Sequence, residues 1–108
     1  MVKISILYPN LPHSKFDFSY YIDIHMPRSI QLLSMHPGYK GVSVEQGIGS
    51  AIPGGDLPYL AMCHFIFNTV NDFVEAFTPH AAELQGDMIH YTDIEPIIQF
   101  NKILIQQP

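Results

Sequence analysis

The sequence predicts an α+β domain in which two helices cover one face of a four-stranded antiparallel sheet. Four segments alternate in the manner of strands, two carry apolar residues at helical spacing, and their order is β-α-β-β-α-β. Of the 108 residues, 47% are hydrophobic and 14% are charged, which suits one buried core. We therefore expect a single domain over residues 1–108.

The first strand is predicted at residues 2–8. Lys3 and Ser5 face one side of this extended segment, and four larger residues face the other side: Val2, Ile4, Ile6 and Tyr8. The prolines at positions 9 and 12 then end the strand.

The first helix begins at an N-cap, either Asp17 or Ser19, and runs to about residue 35. Its apolar stripe consists of Ile22, Met26, Ile30 and Leu33. Pro27 removes a backbone donor from the middle of this helix and clashes with the carbonyl of Asp23. We therefore expect a bend or an irregular turn beside His25 and Met26.

Two strands follow, separated by a long turn. Residues 39–47 form the second strand, and residues 47–58 are rich in glycine and proline, which is typical of a turn. The third strand, Tyr59–Phe67, is apolar on both faces, so both faces require a cover.

A second helix is capped by Thr69 or Asn71, with Val70, Phe73, Val74 and Phe77 at helical spacing. Thr78-Pro79 predicts a break followed by a new helical turn, and Gly86 is predicted to end this unit. Residues 93–105 form the last strand, with Pro96 near its start.

This order of elements predicts the ferredoxin-like arrangement, with both helices on one face of the sheet. The other face of the third strand is left as an apolar patch in a monomer, and such patches usually mark an interface. We therefore expect a homodimer packed sheet against sheet.

Composition excludes several classes of function. The net charge is −5, and the five basic residues are dispersed, so nucleic acid is not an expected partner. Cys63 is the single cysteine, no zinc-ligand spacing is present, and the chain opens on a strand pattern without a leader, so a cytoplasmic location is expected. No apolar run reaches the roughly 20 residues that span a bilayer, so no membrane-spanning segment is expected.

His25 is the main catalytic candidate. Tyr21 and His25 are four residues apart on one helix face, and histidine is the side chain that exchanges protons near neutral pH. A carbonyl freed by Pro27 is expected to fix its tautomer. The alternative interpretation is a core histidine at a helix kink.

Tyr39 is a second catalytic candidate, as a donor to a carbonyl or enolate oxygen, although packing alone also explains it. His64 is either a core histidine or a pocket wall. Cys63 points to the opposite face from His64, so the two do not form a nucleophile pair. His80 and Tyr91 complete the candidate ligand-binding residues with Tyr21, and weaker candidates are Asp23 and His90. The six histidines lack short paired spacing, so no metal site is predicted.

The sequence resembles the ethyl tert-butyl ether degradation (EthD) family. The similarity lies in residues 2–9, in the run Tyr20-Tyr21-x-x-His25-x-Pro27, in residues 79–83 (PHAAE) and in residues 91–96 (YTDIEP). The resemblance implies a dimeric α+β barrel. It also implies that His25 lines a pocket between helices and sheet.

The resemblance does not fix one reaction. The family is associated with ether degradation, some members carry the name reductase, and a related branch contains lactone isomerases. No Gly-x-Gly-x-x-Gly turn or cysteine and histidine cluster is present, so no cofactor is predicted. Some dimeric α+β barrel relatives outside this family bind haem through a histidine, so haem is the alternative that the absorbance of the purified protein would test. We expect cofactor-free proton transfer on a small hydrophobic cyclic or enolisable metabolite. The alternatives are a non-catalytic carrier, or accessory protein to a monooxygenase, and a purely structural dimer.

Overall fold

The computed structural model describes residues 1–108 and contains one antiparallel sheet in the order β2-β3-β1-β4. Its strands are β1 (Val2–Pro9), β2 (Tyr39–Gln46), β3 (Tyr59–Phe67) and β4 (Ile97–Lys102). The helices are α1 (Phe18–Tyr20), a π-helical segment (Tyr21–His25), α2 (Met26–Leu33), α3 (Val70–Phe77) and α4 (Ala81–Asp87). This strand order confirms the predicted ferredoxin-like fold. No helix is both long and apolar enough to cross a membrane.

The first helical unit contains the irregular turn that Pro27 predicts. Asp17 is the N-cap, because its carboxylate accepts a hydrogen bond from the Tyr20 N–H at 3.1 Å. In the π-helical segment the Met26 N–H reaches back to the Tyr21 carbonyl, which inserts one residue into the turn. The insertion rotates Tyr21 and His25 into the core.

Two predictions for this unit are wrong. Ile22 was expected in the apolar stripe but is 48% exposed, because the π-helical segment rotates the first turn relative to α2. The helix ends at Leu33, not near residue 35, and the Met35 side chain is 77% exposed. Because Met35 buries little apolar surface, tertiary packing does not stabilise a further turn of this helix.

The second helical unit is capped by Thr69, whose hydroxyl accepts a hydrogen bond from the Asp72 N–H at 3.0 Å. The predicted break is confirmed as a single 3-10 turn, Thr78–His80. The predicted end at Gly86 is wrong, since α4 continues to Asp87 and a second 3-10 turn covers Met88–His90.

The last strand is shorter than predicted, because residues 91–96 pack against the loop that precedes α1. Thr92 forms a bridge with Phe16, and its hydroxyl donates to the Lys15 carbonyl at 2.7 Å. Pairing with β1 begins only at Ile97, which lies opposite Leu7.

The hydrophobic core lies between the sheet and the helices. Ile4, Cys63, Phe65 and Phe67 from the two central strands are at most 2% exposed, as is Leu33 from α2. Burial of this kind is the main favourable contribution to folding. The π-helical segment and α4 meet above β1, and this contact forms the site described below.

The opposite face of the sheet carries no helix. Apolar side chains of Leu7, Met62 and Ile66 alternate there with a chain of polar groups that crosses all four strands. The Asn101 amide donates to Ser5 Oγ at 3.0 Å, and Ser5 Oγ lies 2.7 Å from His64 Nδ1. His64 Nε2 lies 3.3 Å from the carboxylate of Glu45.

Candidate functional site

A cavity of about 450 Å³ lies between the sheet and the helices. Nineteen residues line it, and fourteen of these are hydrophobic. Its inner end contains Tyr8, Tyr21 and Tyr91, each at most 3% exposed. Its outer side is formed by α3, α4 and β4, where Phe100 is 50% exposed. The volume and the apolar lining are typical of a small-molecule pocket.

His25 reaches the inner end because of the π-helical segment. Its ring stacks on Tyr21 with an interplanar angle of 15° and a centroid distance of 5.9 Å, and the residue is 7% exposed. The His25 carbonyl accepts a hydrogen bond from Ser29 Oγ at 2.9 Å, which secures the backbone next to the proline. π-Helical insertions are frequent at functional sites.

Asp87 of α4 fixes the orientation of His25. Its Oδ2 lies 2.9 Å from His25 Nδ1, and its Oδ1 accepts a hydrogen bond from the Tyr20 hydroxyl at 2.6 Å. An ionised carboxylate only accepts, so Nδ1 carries the proton and Nε2 keeps its lone pair. The sequence predicted that a freed backbone carbonyl would fix this tautomer, and that prediction is wrong because the acceptor is a carboxylate from another helix.

Asp87 remains ionised under ordinary conditions. Partial burial raises the pKa of this carboxyl, but the hydrogen bonds from Tyr20 and His25 outweigh burial, so its pKa lies below the ordinary value. His25 therefore has a permanent anionic partner on its Nδ1 side.

Two further tyrosines continue the chain of polar groups from His25. The Tyr91 hydroxyl lies 3.4 Å from His25 Nε2 and 2.7 Å from the Tyr8 hydroxyl. Burial raises the pKa of Tyr8 to about 12, and burial also raises the pKa of Tyr91 well above its ordinary value. Both phenols are therefore neutral donors, and the long Tyr91–His25 contact leaves Nε2 only weakly engaged.

Tyr21 and Cys63 also line the inner end without acting as charged groups. The Tyr21 hydroxyl is buried beside the Cys63 thiol, a weak hydrogen-bonding group, and has no other partner; burial raises the pKa of Tyr21. Burial likewise raises the pKa of Cys63 to about 12, so it remains a thiol. A protonated, buried thiol is a poor nucleophile.

Three predicted site residues do not line this cavity. Tyr39 packs edge-on against Phe67 at a centroid distance of 5.6 Å, at the start of β2. His64 lies on the helix-free face of the sheet, bonded to Ser5. His80 ends the 3-10 turn between α3 and α4. His25, Tyr21 and Tyr91 are the predicted residues that the structure brings together around the cavity.

Sequence reasoning missed Asp87, Tyr20 and Tyr8. Asp87 follows His25 by 62 positions, and no local pattern connects them. Tyr8 was recognised only as a strand residue. The signal that was available for Tyr20 is its place beside Tyr21 in the Tyr-Tyr-x-x-His run.

A second group of ligand-type side chains, His36, Asp72 and Glu75, lies between the end of α2 and the start of α3. Gly38 N–H donates to His36 Nδ1 at 2.9 Å, so the ring proton resides on Nε2, which donates to Glu75 at 3.0 Å. Both ring nitrogens are therefore engaged within the protein. This arrangement joins two helices and offers no free histidine lone pair to a metal.

Comparisons with known proteins agree with this architecture. The EthD domain profile matches residues 9–95. An EthD-like protein from Ralstonia eutropha JMP134 is 32% identical, with a TM-score of 0.90, over 98% of this chain and 94% of that chain. An EthD family protein from Bacillus halodurans C-125 is 20% identical, with a TM-score of 0.69, over 96% of this chain and 99% of that chain. SnoaB, a cofactor-independent oxygenase from Streptomyces nogalater, is 12% identical, with a TM-score of 0.62, over 99% and 96% of the two chains.

The similarities to the Bacillus and Streptomyces proteins show the fold alone, because few residues are shared. A comparison with curated proteins gives no match. The profile match covers most of the chain, and the identity of 32% extends over nearly all of it. The chain belongs to the EthD family.

Proposed function

We propose that the cavity binds a small hydrophobic cyclic or enolisable metabolite and that His25 exchanges a proton with it without a cofactor. One observation carries this proposal. Asp87 holds the proton of His25 on Nδ1, so a weakly engaged Nε2 lone pair is available at the inner end of an apolar cavity. A general base needs this combination of free lone pair, fixed tautomer and reach.

In the proposed reaction, a substrate proton passes from carbon or oxygen to His25 Nε2. The electron pair stays on the substrate as an enolate or phenolate, and Tyr91 donates a hydrogen bond to the oxygen that becomes negative. The imidazolium is stabilised by Asp87 at 2.9 Å. Return of the proton to a different atom completes an isomerisation. If the proton on His25 Nε2 is first replaced by one from solvent, return to the same atom gives exchange with solvent.

The fold supports the idea of cofactor-free chemistry only in general terms. SnoaB, which shares the fold, is a cofactor-independent oxygenase. The same fold serves many functions, so the argument depends on the residues of this chain.

The test is hydrogen–deuterium exchange into 2-tetralone, a neutral enolisable ketone, followed by ¹H NMR in D₂O. We expect the wild-type protein to accelerate exchange, and we expect both His25→Ala and His25→Gln to return the rate to that of buffer. His80→Ala is the matched control, because His80 lies outside the cavity. Equal acceleration by wild type and both His25 variants would exclude this role. Stoichiometric binding without exchange would favour the carrier alternative.

We also propose that the chain is a homodimer through the helix-free face of the sheet. Leu7 and Met62 lie opposite each other at the centre of this face, and Ile97 on β4 is 50% exposed. Exposed apolar area of this kind usually marks an interface. Native mass spectrometry should give a dimer for wild type and a monomer for Met62→Glu. A monomeric wild type would contradict this proposal without affecting the role of His25.

A further inference from the structure

The lining of the cavity contains no lysine or arginine. Its ionisable members are His25, Glu95, Cys63 and three tyrosines. Glu95 is the one carboxylate among them, and it is exposed. Burial holds the tyrosines and the cysteine in their neutral forms. The fixed charge around a bound molecule is therefore negative or zero.

Arg28 of α2 does not compensate for this lining. Arg28 is engaged outside the cavity with Glu83, at 2.7 and 3.2 Å. His25 is itself paired with the Asp87 carboxylate, so the protonated pair carries no net charge. A carboxylate or phosphate that entered the cavity would lose its hydration and gain only neutral hydroxyl donors, with no lysine or arginine to pair with, which is unfavourable.

The size and the walls of the cavity describe the shape of the ligand. An apolar cavity of about 150 Å³ holds one benzene ring, and this one has a volume of about 450 Å³. Phe73 stacks on Phe77 at a centroid distance of 5.5 Å and meets Phe100 edge-on at 6.1 Å, so aromatic surfaces form the outer wall. Flat rings make the best contact with such surfaces.

We infer that the ligand is an uncharged, planar molecule of two or three rings whose acidic position lies at His25, and that ring compounds bearing a carboxylate or phosphate inside the cavity are excluded. This inference rests on the proposed function and names its substrate class. A negative charge on the ligand appears only with proton transfer, when His25 gains a positive charge at the same moment, so the total charge of the site does not change.

The experiment compares two ligands with the same ring system by isothermal titration calorimetry at about pH 8. Methyl 2-naphthyl ketone is neutral, and 2-naphthoate is an anion of nearly the same shape. We expect the ketone to bind at least tenfold more tightly, and we expect acetophenone, with one ring, to bind more weakly than the naphthyl ketone. Failure of the ketone to bind, or equal affinity for the anion, would overturn the inference.

A matched pair of variants tests the electrostatic cause. Gln85→Lys adds a cation to the outer side of the cavity, and Gln106→Lys adds the same charge in the exposed C-terminal segment. Only Gln85→Lys should raise the affinity for 2-naphthoate, by about threefold or more, and an equal gain in both would mean that the effect is not local. Binding is measured without turnover. If the protein binds the ketone selectively but does not exchange protons with it, this inference stands and the proposed reaction is wrong.

Discussion

The substitution Asp87→Asn should reverse the tautomer of His25. The carboxylate accepts two hydrogen bonds, from Tyr20 at 2.6 Å and from His25 Nδ1 at 2.9 Å. Asparagine has one acceptor oxygen and one amide donor, and when its oxygen keeps the shorter bond, from the Tyr20 hydroxyl, its NH₂ group faces Nδ1. His25 then has to carry its proton on Nε2.

The size of the change in tautomer preference follows from the loss of the hydrogen bond between His25 Nδ1 and the Asp87 carboxylate. A hydrogen bond to a charged group contributes about 1.5–3 kcal/mol, which corresponds to roughly a 10-fold to 100-fold preference for the Nδ1–H form in wild type. With the proton moved to Nε2, the base at the cavity is lost. Exchange into 2-tetralone should fall by about 10²- to 10⁴-fold, the usual contribution of a general base.

The assay is a long-range ¹H–¹⁵N correlation spectrum of protein labelled with ¹⁵N-histidine, in which the two neutral tautomers give different patterns. The His25 signals are assigned from their loss in His25→Gln. Glu83→Gln is the control, because Glu83 is on the same helix but is exposed and pairs with Arg28. An Nε2–H tautomer in wild type would refute this account of the site, and an Nδ1–H tautomer that persists in Asp87→Asn would show that the amide turns its oxygen toward His25 and would contradict the predicted reversal.

Three further predictions concern stability. Because the pKa of Asp87 is below its ordinary value, Asp87 binds fewer protons in the native state than in the unfolded state. Its contribution to the free energy of unfolding is therefore present above the ordinary carboxyl pKa of about 3.9 and is lost as the pH falls through the lowered value. In urea unfolding, the difference in free energy of unfolding between wild type and Asp87→Asn should therefore narrow toward about pH 2. A difference that stays constant with pH would contradict this prediction. Leu33→Ala, in the core, should cost about 2–5 kcal/mol, whereas Met35→Ala should change stability by less than about 0.5 kcal/mol; equal losses would contradict the position at which the helix ends. Thr69→Ala should lower the free energy of unfolding by about 1 kcal/mol through loss of the N-cap. Thr69→Ser keeps a hydroxyl and should retain most of the wild-type stability, so an equal loss in both variants would exclude the cap as the cause.

The local sequence determined most of the fold. Alternation located the first three strands, and Asp17 and Thr69 were among the predicted caps, because an N-cap depends on one side chain and the two or three residues after it. The irregular turn beside His25 was also predictable, since a proline without an N–H disturbs the preceding turn wherever the helix lies. The family resemblance and the choice of His25 as a candidate came from motifs of the same short range.

The tertiary structure decided which side chains meet. Asp87 reaches His25 only because α4 docks on the π-helical segment, and His64 leaves the site because the register of β3 against β1 directs it to the helix-free face. Helix docking depends on side chains far apart in the chain, and the pattern of strand alternation is the same whichever face the helices cover. Sequence therefore identified His25 as the candidate base, and only the packed fold identified its carboxylate partner and the apolar cavity beside them.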